Sequence, residues 1–293
     1  MVDARGRFVA GLTERNFHVL EDGRQQQVTH FASLEAPLRV ALLIETSPAV
    51  YLIREEHLAA VFTLLEHLRA GDALAVARYD QQWQAVAGFT QERTRLREHL
   101  RALNYSLGMA ELNLFDALAR TLEWLAAEPS PLPGRKAILL IGTGLDTRSE
   151  TSADALKQKL AASGVTLFAV ATGSLLREPE ETSRRKKQRE DTRAGRYGAG
   201  SFEAAFAEAD ARLKLWAEET GGQAYFPRTG AELRAAYREI GERLRHTYSL
   251  GYVSSNRARD GSFRAIEVRL VGEDSRALPY RVVARRGYYA PGE

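Results

Sequence analysis

The chain has 293 residues, enough to bury a sizeable core in one or two domains. Its 44% hydrophobic and 27% charged residues are ordinary for a globular protein, and a formal charge of +3 is far from the concentrated basic stripe of a nucleic-acid binder. The absence of cysteine excludes disulfides, thiolate metal sites and a cysteine nucleophile together.

No apolar run approaches the roughly 20 residues that span a bilayer as a helix. The opening MVDARGRFVAGL lacks both the basic start and the apolar block of a secretory leader. Because the chain reads as strand from Val2 onward, the expectation is that it starts where a leader was trimmed.

FVAGLTERNFHVLEDGRQQQVTHF is a β pattern of short alternating segments, with Asp22-Gly23 as a two-residue hairpin signal. Residues 40–44 then form a continuous apolar run, as expected of a central strand covered on both faces. Leu58, Val61, Phe62, Leu65 and Leu68 follow at helical spacing, and ALAVARYD opens a second buried strand. WQAVAGF alternates and is placed antiparallel at a sheet edge; RTRLREHLRAL is a short charged helix. Leu114, Ala117, Leu118, Leu122 and Leu125 make another apolar helix face, closed by AEPSPLPGR. KAILLIGTGLDT repeats the earlier design, an apolar strand breaking into a glycine-rich loop, and a helix over residues 153–162 leads to the strand VTLFAVAT.

The stretch from 176 to 200 is charged, poor in apolar residues and glycine-rich at its end, and reads as a mobile insertion. Beyond it come a helix with Phe206, Ala209, Leu213 and Trp216 on one face, the short strand QAYF, and a helix over residues 231–245. YSLGYV, FRAIEVRLVG and YRVVARRGYYA return to β.

Alternating strands and helices predict a doubly wound, mostly parallel α/β sheet flanked by helices, since parallel neighbours need crossovers. Neither terminal β flank has enough strands to bury a face alone, so the two are expected to pair into one small β-sandwich. The predicted division is an N-terminal flank at 1–36, an α/β core at 37–246 and a C-terminal flank at 247–293. Ligands of such sheets sit beyond the carboxyl ends of the strands, where Glu45 to Ala49 and Gly142 to Asp146 lie.

GLTERNFHVLEDGRQQQVTHF, the apolar strand into ETS, FDALARTLEWL, RKAILLIGTGLDTRS, AEETGGQAYF and the final YSLGY, GSFRAIEVRL and ARRGYY together resemble von Willebrand factor A-related proteins of the acidobacterial type. The resemblance covers nearly the whole chain. It implies a doubly wound core, a β flank made from both termini, and a secreted or periplasmic location. It also implies a strand-end metal site built from an Asp-x-Ser-x-Ser loop, a threonine in a second loop and an aspartate in a third, with a partner's carboxylate completing the shell.

Carried over residue by residue, that site is depleted. Glu45 takes the first aspartate's place, Ser47 matches the first serine, and Ala49 replaces the second. Leu112 stands where the threonine belongs, with Asn113 beside it, and Thr143 stands at the third-loop aspartate. The expected metal shell is Glu45, Ser47 and Thr143, a degenerate site with too little negative charge for a hard divalent ion. No cofactor is expected, any Mg²⁺ or Mn²⁺ binding being weak, with Asp146 as a further donor.

Simpler roles stand beside these. Glu45 is expected to cap the amides of the following helix in preference to binding metal, and Asp116 to cap its own helix or support the first loop. GTGLD lacks the third glycine of a dinucleotide fingerprint and reads as a turn. RRKKQR is flanked by acids and reads as a solvated loop. No Gly-x-Ser-x-Gly elbow occurs, and His57, His67 and His99 are expected on exposed helix faces.

These readings predict a non-catalytic, adhesion-type binding module that takes a protein ligand and neither nucleic acid nor a membrane span. Its ligand face comprises Glu45, Ser47, Tyr51, Tyr105, Asn113, Thr143 and Asp146. The alternatives are a hydrolase or nucleotide-binding enzyme using the same crevice, and a structural envelope assembly protein.

Overall fold

A computed structural model describes residues 9–32, 36–108, 111–128, 135–176, 199–272, 276–280 and 282–292, with backbone alone at 199–202. The centre is β4 (Leu38–Glu45), in which every residue but Arg39 is buried. Its side chains alternate between two faces, as a strand demands. Val40, Leu42 and Ile44 enter one apolar layer, and Ala41 and Leu43 enter the other.

β4 pairs in parallel with β5 (Ala73–Tyr79) on one side and β7 (Arg135–Gly142) on the other. β6 (Trp83–Thr90) runs antiparallel to β5 at one edge, as the sequence predicts. β8 (Thr166–Ala171) and β9 (Gln223–Tyr225) extend the other side in parallel, giving the order β6-β5-β4-β7-β8-β9. The chain therefore leaves β4 toward one edge and later returns to its opposite side. Such a reversal opens a crevice at the carboxyl ends of β4 and β7.

The first face is covered by α2 (Arg54–Glu66), α3 (Arg93–Arg101) and α8 (Gly230–Arg245), through residues such as Leu64, Leu100 and Ile240. The second is covered by α4 (Leu114–Ala127), α5 (Ala153–Ser163) and α7 (Ala199–Glu219), through Leu118, Leu160 and Trp216. Two four-residue helices, α1 (Pro48–Tyr51) and α6 (Gly173–Leu176), follow the ends of β4 and β8. The expected charged insertion falls almost wholly at 177–198, outside the described residues.

The termini meet as expected. β1 (Phe17–Glu21) pairs antiparallel with β11 (Phe263–Leu270), Phe17 opposite Leu270, within a sheet ordered β12-β11-β1-β2. β2 is Arg24–Gln26 and β12 is Gly287–Tyr289. β3 (Val28–Ala32) pairs with β10 (Ser249–Tyr252) as a separate two-stranded sheet. Asp22 and Gly23, at φ of 47° and 79°, supply the left-handed pair that a tight β1–β2 hairpin needs. Phe17, Phe31 and Tyr248 cluster between the sheets, with ring centroids 5.3 to 5.9 Å apart.

One strand is shorter than predicted. Of the described residues of YRVVARRGYYA, Gly287–Tyr289 alone form the strand beside β11. Arg135 ties the base of the α/β body to the flank, its guanidinium donating to the carbonyls of Ala36 at 2.8 Å and Thr247 at 3.1 Å.

Candidate functional site at the strand ends

Three loops converge at the crevice: 46–53 after β4, the described residues 102–108 and 111–113 before α4, and 143–152 after β7. Ser106 N donates to Thr46 O at 2.8 Å, and Thr147 N donates to Leu112 O at 2.8 Å, so the middle loop is stitched to both others.

Glu45 is fully buried, and its carboxylate turns inward beneath the loops. Ser47 Oγ donates to Oε1 at 2.6 Å. Oε2 accepts from Thr143 N at 2.6 Å, Thr143 Oγ1 at 2.7 Å and the Tyr79 hydroxyl at 3.3 Å. The three expected metal ligands are thus brought together, but as one hydrogen-bonded cluster in which both hydroxyls point their protons at the carboxylate. Burial pushes the Glu45 carboxyl above its usual range, against the opposing pull of these donors. Burial first, and the Glu45 charge second, push the Tyr79 phenol up.

Room for this arrangement comes from Gly142. A Cβ there would lie 2.7 Å from Glu45 Oε2, 2.7 Å from the Tyr79 hydroxyl and 2.8 Å from Glu45 Cβ. Tyr79 and Gly142 were not singled out by sequence, although a tyrosine ending the apolar strand ALAVARYD is a signal that a buried hydroxyl seeks a partner.

The expectation that Glu45 caps the next helix is corrected. Its oxygens accept from Thr143, across the sheet, while Ser47 caps α1 by accepting from Val50 N at 3.4 Å. Asp146 turns away from Glu45 and toward α4. Its Oδ1 accepts from Phe115 N at 3.1 Å and from Ser149 Oγ at 2.5 Å, while Ser149 Oγ accepts from Asp116 N at 3.2 Å. Asp116 returns the favour by accepting from Glu150 N and Thr151 N, each at 2.9 Å. It therefore supports the third loop, where the first was expected. Asn113 Nδ2 donates to Gln81 O at 3.0 Å, and Leu112 is buried in the apolar layer under α4.

Tyr51 and Tyr105 meet edge to face, with ring centroids 5.8 Å apart, and the Arg54 guanidinium lies 4.2 Å above the Tyr51 ring. Beside them in the same two loops Leu52 and Leu107 are 75% and 78% exposed.

Away from the crevice, His57 departs from expectation. It is buried under α8, its Nδ1 3.4 Å from the Tyr237 hydroxyl. It shares a helix face with Ala60, Val61 and Leu64, a spacing that was available in the sequence.

No family model and no curated protein matches the chain. Solved structures do. A von Willebrand factor type A protein from Catenulispora acidiphila superposes with a TM-score of 0.50 at 17% identity, covering 81% of this chain and 47% of that one. The von Willebrand factor domain of the type V pili tip protein Mfa5 from Porphyromonas gingivalis gives 0.50 at 13% identity, over 75% of this chain and 99% of that one. Proximal thread matrix protein 1 from the mussel byssus, with a zinc-occupied MIDAS motif, gives 0.51 at 12% identity, over 71% of this chain and 48% of that one. The chain thus spans about half the length of the Catenulispora and mussel proteins. Among the described residues no helix is long and apolar enough to cross a membrane. The α/β body has the von Willebrand factor A fold and carries a β flank that pairs strands from before and after it in the sequence.

Proposed function

We propose that the protein is a non-catalytic, adhesion-type module that binds a protein partner through its strand-end loops without a bridging metal. The observation that carries this reading is the state of Glu45. A hard divalent ion needs near-octahedral oxygen and several anionic ligands. Among the described residues Glu45 is the fully buried carboxylate at the crevice floor, four donors already address it, Asp146 is engaged with Ser149 and α4, and Asp80 is paired with Arg78. The donor set does not fit such an ion, and the site is read as degenerate.

What remains for recognition is the rim. Tyr51, Tyr105, Leu52 and Leu107 offer apolar and aromatic surface stiffened by Arg54, the composition of an interface centre. The hydrolase alternative has less support, because Ser47 and Thr143 are buried with their protons committed to Glu45. An extracytoplasmic location and the division at 1–36, 37–246 and 247–293 belong to the same proposal. The zinc-occupied mussel protein and the pilus-tip domain support the adhesion class by likeness of fold alone.

Calorimetric titration with Mg²⁺ and Mn²⁺ tests the metal-free reading: the expected result is no saturable heat. A saturable heat abolished by Glu45→Ala would restore a metal-dependent mechanism. Replacing Tyr51, Leu52, Tyr105 and Leu107 by serine should abolish capture of envelope proteins; retained capture would remove the rim from the proposal.

A further inference from the structure

Where the β flank meets the α/β body an open groove of about 510 Å³ separates them, far more space than a packing defect leaves. Its lining shows which way it runs. Thr247, Tyr248, Ser249, Leu250, Gly251 and Tyr252 all border it, and consecutive residues of an extended chain share a boundary only along the strand's edge, because a face shows every second residue. The edge is the outer one of β10, which pairs with β3 alone among the described strands. From that side no backbone hydrogen bond reaches Ser249–Tyr252 among the described residues.

The facing wall has the same character. Residues 282–285 border the groove as a second unbroken run, in no ladder and with no backbone hydrogen bond among the described residues. The floor is apolar and belongs to one sheet face: Phe17 and Val19 lie two apart on β1, Ile266 and Val268 two apart on β11, and Val19 is directly opposite Val268. The α/β body closes the other side with the small residues Gly164, Thr166, Thr220 and Gly221.

Each wall selects a property of the occupant. An unpaired strand edge is matched by another extended backbone, since main chain alone supplies donors and acceptors at the strand repeat. An apolar floor under one face and small, partly polar residues over the other call for side chains that alternate between apolar and small polar types. A two-stranded ribbon such as β3–β10 is marginal by itself, and a third strand brings it to the number that sustains a sheet.

We propose that this groove receives an extended segment of a partner protein, which adds to β10 as a third strand and turns alternate apolar side chains onto Phe17, Val19, Ile266 and Val268. The four residues Ser249–Tyr252 set the pairing length, about 13 Å of strand. The groove shares no residue with the strand-end rim, so its failure leaves the reading of that rim untouched.

The probe is the blocked heptapeptide Thr-Val-Thr-Val-Thr-Val-Thr, titrated into the full chain and followed by amide hydrogen exchange. The expected result is saturable binding, with exchange slowed about tenfold or more at those amides of Ser249–Tyr252 that point away from β3. A counterpart N-methylated throughout keeps the side chains but loses every backbone donor, and should bind about tenfold or more weakly. The same residues reordered as Val-Val-Val-Thr-Thr-Thr-Thr place fewer valines on the floor and should also bind about tenfold more weakly. No saturable binding of the alternating peptide would overturn the proposal, as would equal binding of the N-methylated one or protection that spares Ser249–Tyr252. A concentration-dependent dimer of the chain that the peptide dissociates would give the groove to a second copy and likewise overturn a foreign partner. All of these readouts use the native protein, so none depends on a variant that folds.

Discussion

His57 should make the fold acid-sensitive in a way that can be isolated. It is 4% exposed between α2 and α8, its Nε2 has no partner, and burial lowers its pKa from 6.5 to about 4. An unfolded chain takes up the proton near pH 6.5, whereas the folded one resists until about pH 4. Stability from the neutral ring is therefore complete above pH 6.5 and is lost as pH falls through that window. At about 1.4 kcal/mol per pKa unit, the loss reaches about 2 kcal/mol by pH 5 and about 3 kcal/mol by pH 4. Many carboxylates also titrate there, so the observable is the difference between the native protein and His57→Leu in urea unfolding at pH 7.5, 6, 5 and 4. The leucine removes the titration and a weak contact to the Tyr237 hydroxyl, giving a fixed offset at pH 7.5. From that offset the variant should gain on the native protein by the amounts above. A difference that stays flat from pH 7.5 to 4 would refute the assignment of a buried, proton-resisting imidazole.

The strand-end cluster gives the opposite sign. With its carboxyl pKa raised by burial above 4.5, Glu45 should cost the native protein stability as pH rises from 4.5, so Glu45→Gln should gain relative to it over that range in the same urea series. Gly142→Ala should destabilise by about 1–3 kcal/mol, since its methyl would overlap both Glu45 and Tyr79; chemical denaturation at pH 7 reads this. Ser149→Ala removes the acceptor shared by Phe115 N and Asp116 N and should cost about 1–2 kcal/mol, with hydrogen exchange accelerated first at the start of α4.

The layers of the fold were legible because they rest on local periodicity. Runs such as RVALLI and KAILLI can only be central strands once helices lie between them, and the two β flanks, each too small alone, had to meet. The start of YRVVARRGYYA misled because alternating apolar residues fit both a ladder strand and an irregular segment that packs against the flank core, as Tyr280 and Val282 do. At the site, position was legible and direction was not. That Glu45 stands at a strand end follows from its sequence neighbours. That it turns inward depends on Tyr79, 34 residues on, and on the missing Cβ of Gly142, 97 residues on. His57 was misread for a different reason: a polar residue type was weighed above its position on an apolar helix face.

The acids near the crevice have a common use that bears on recognition. Glu45 joins the loop after β4 to the loop after β7, while Asp116 and Asp146 join that same loop to the start of α4. Each carboxylate is spent on backbone amides or hydroxyls of a neighbouring loop, so the charge that a metal-bridged surface would turn outward is instead used to hold the loops against one another. A frame fixed this way loses little conformational freedom when a partner docks, and that saving is worth as much to affinity as added contacts. If the protein binds a partner at this rim as proposed, the exposed side chains on the frame, Leu52 and Leu107 with the Tyr51–Tyr105 pair, supply the binding energy, and loosening the frame at Ser149 should weaken that partner through entropy.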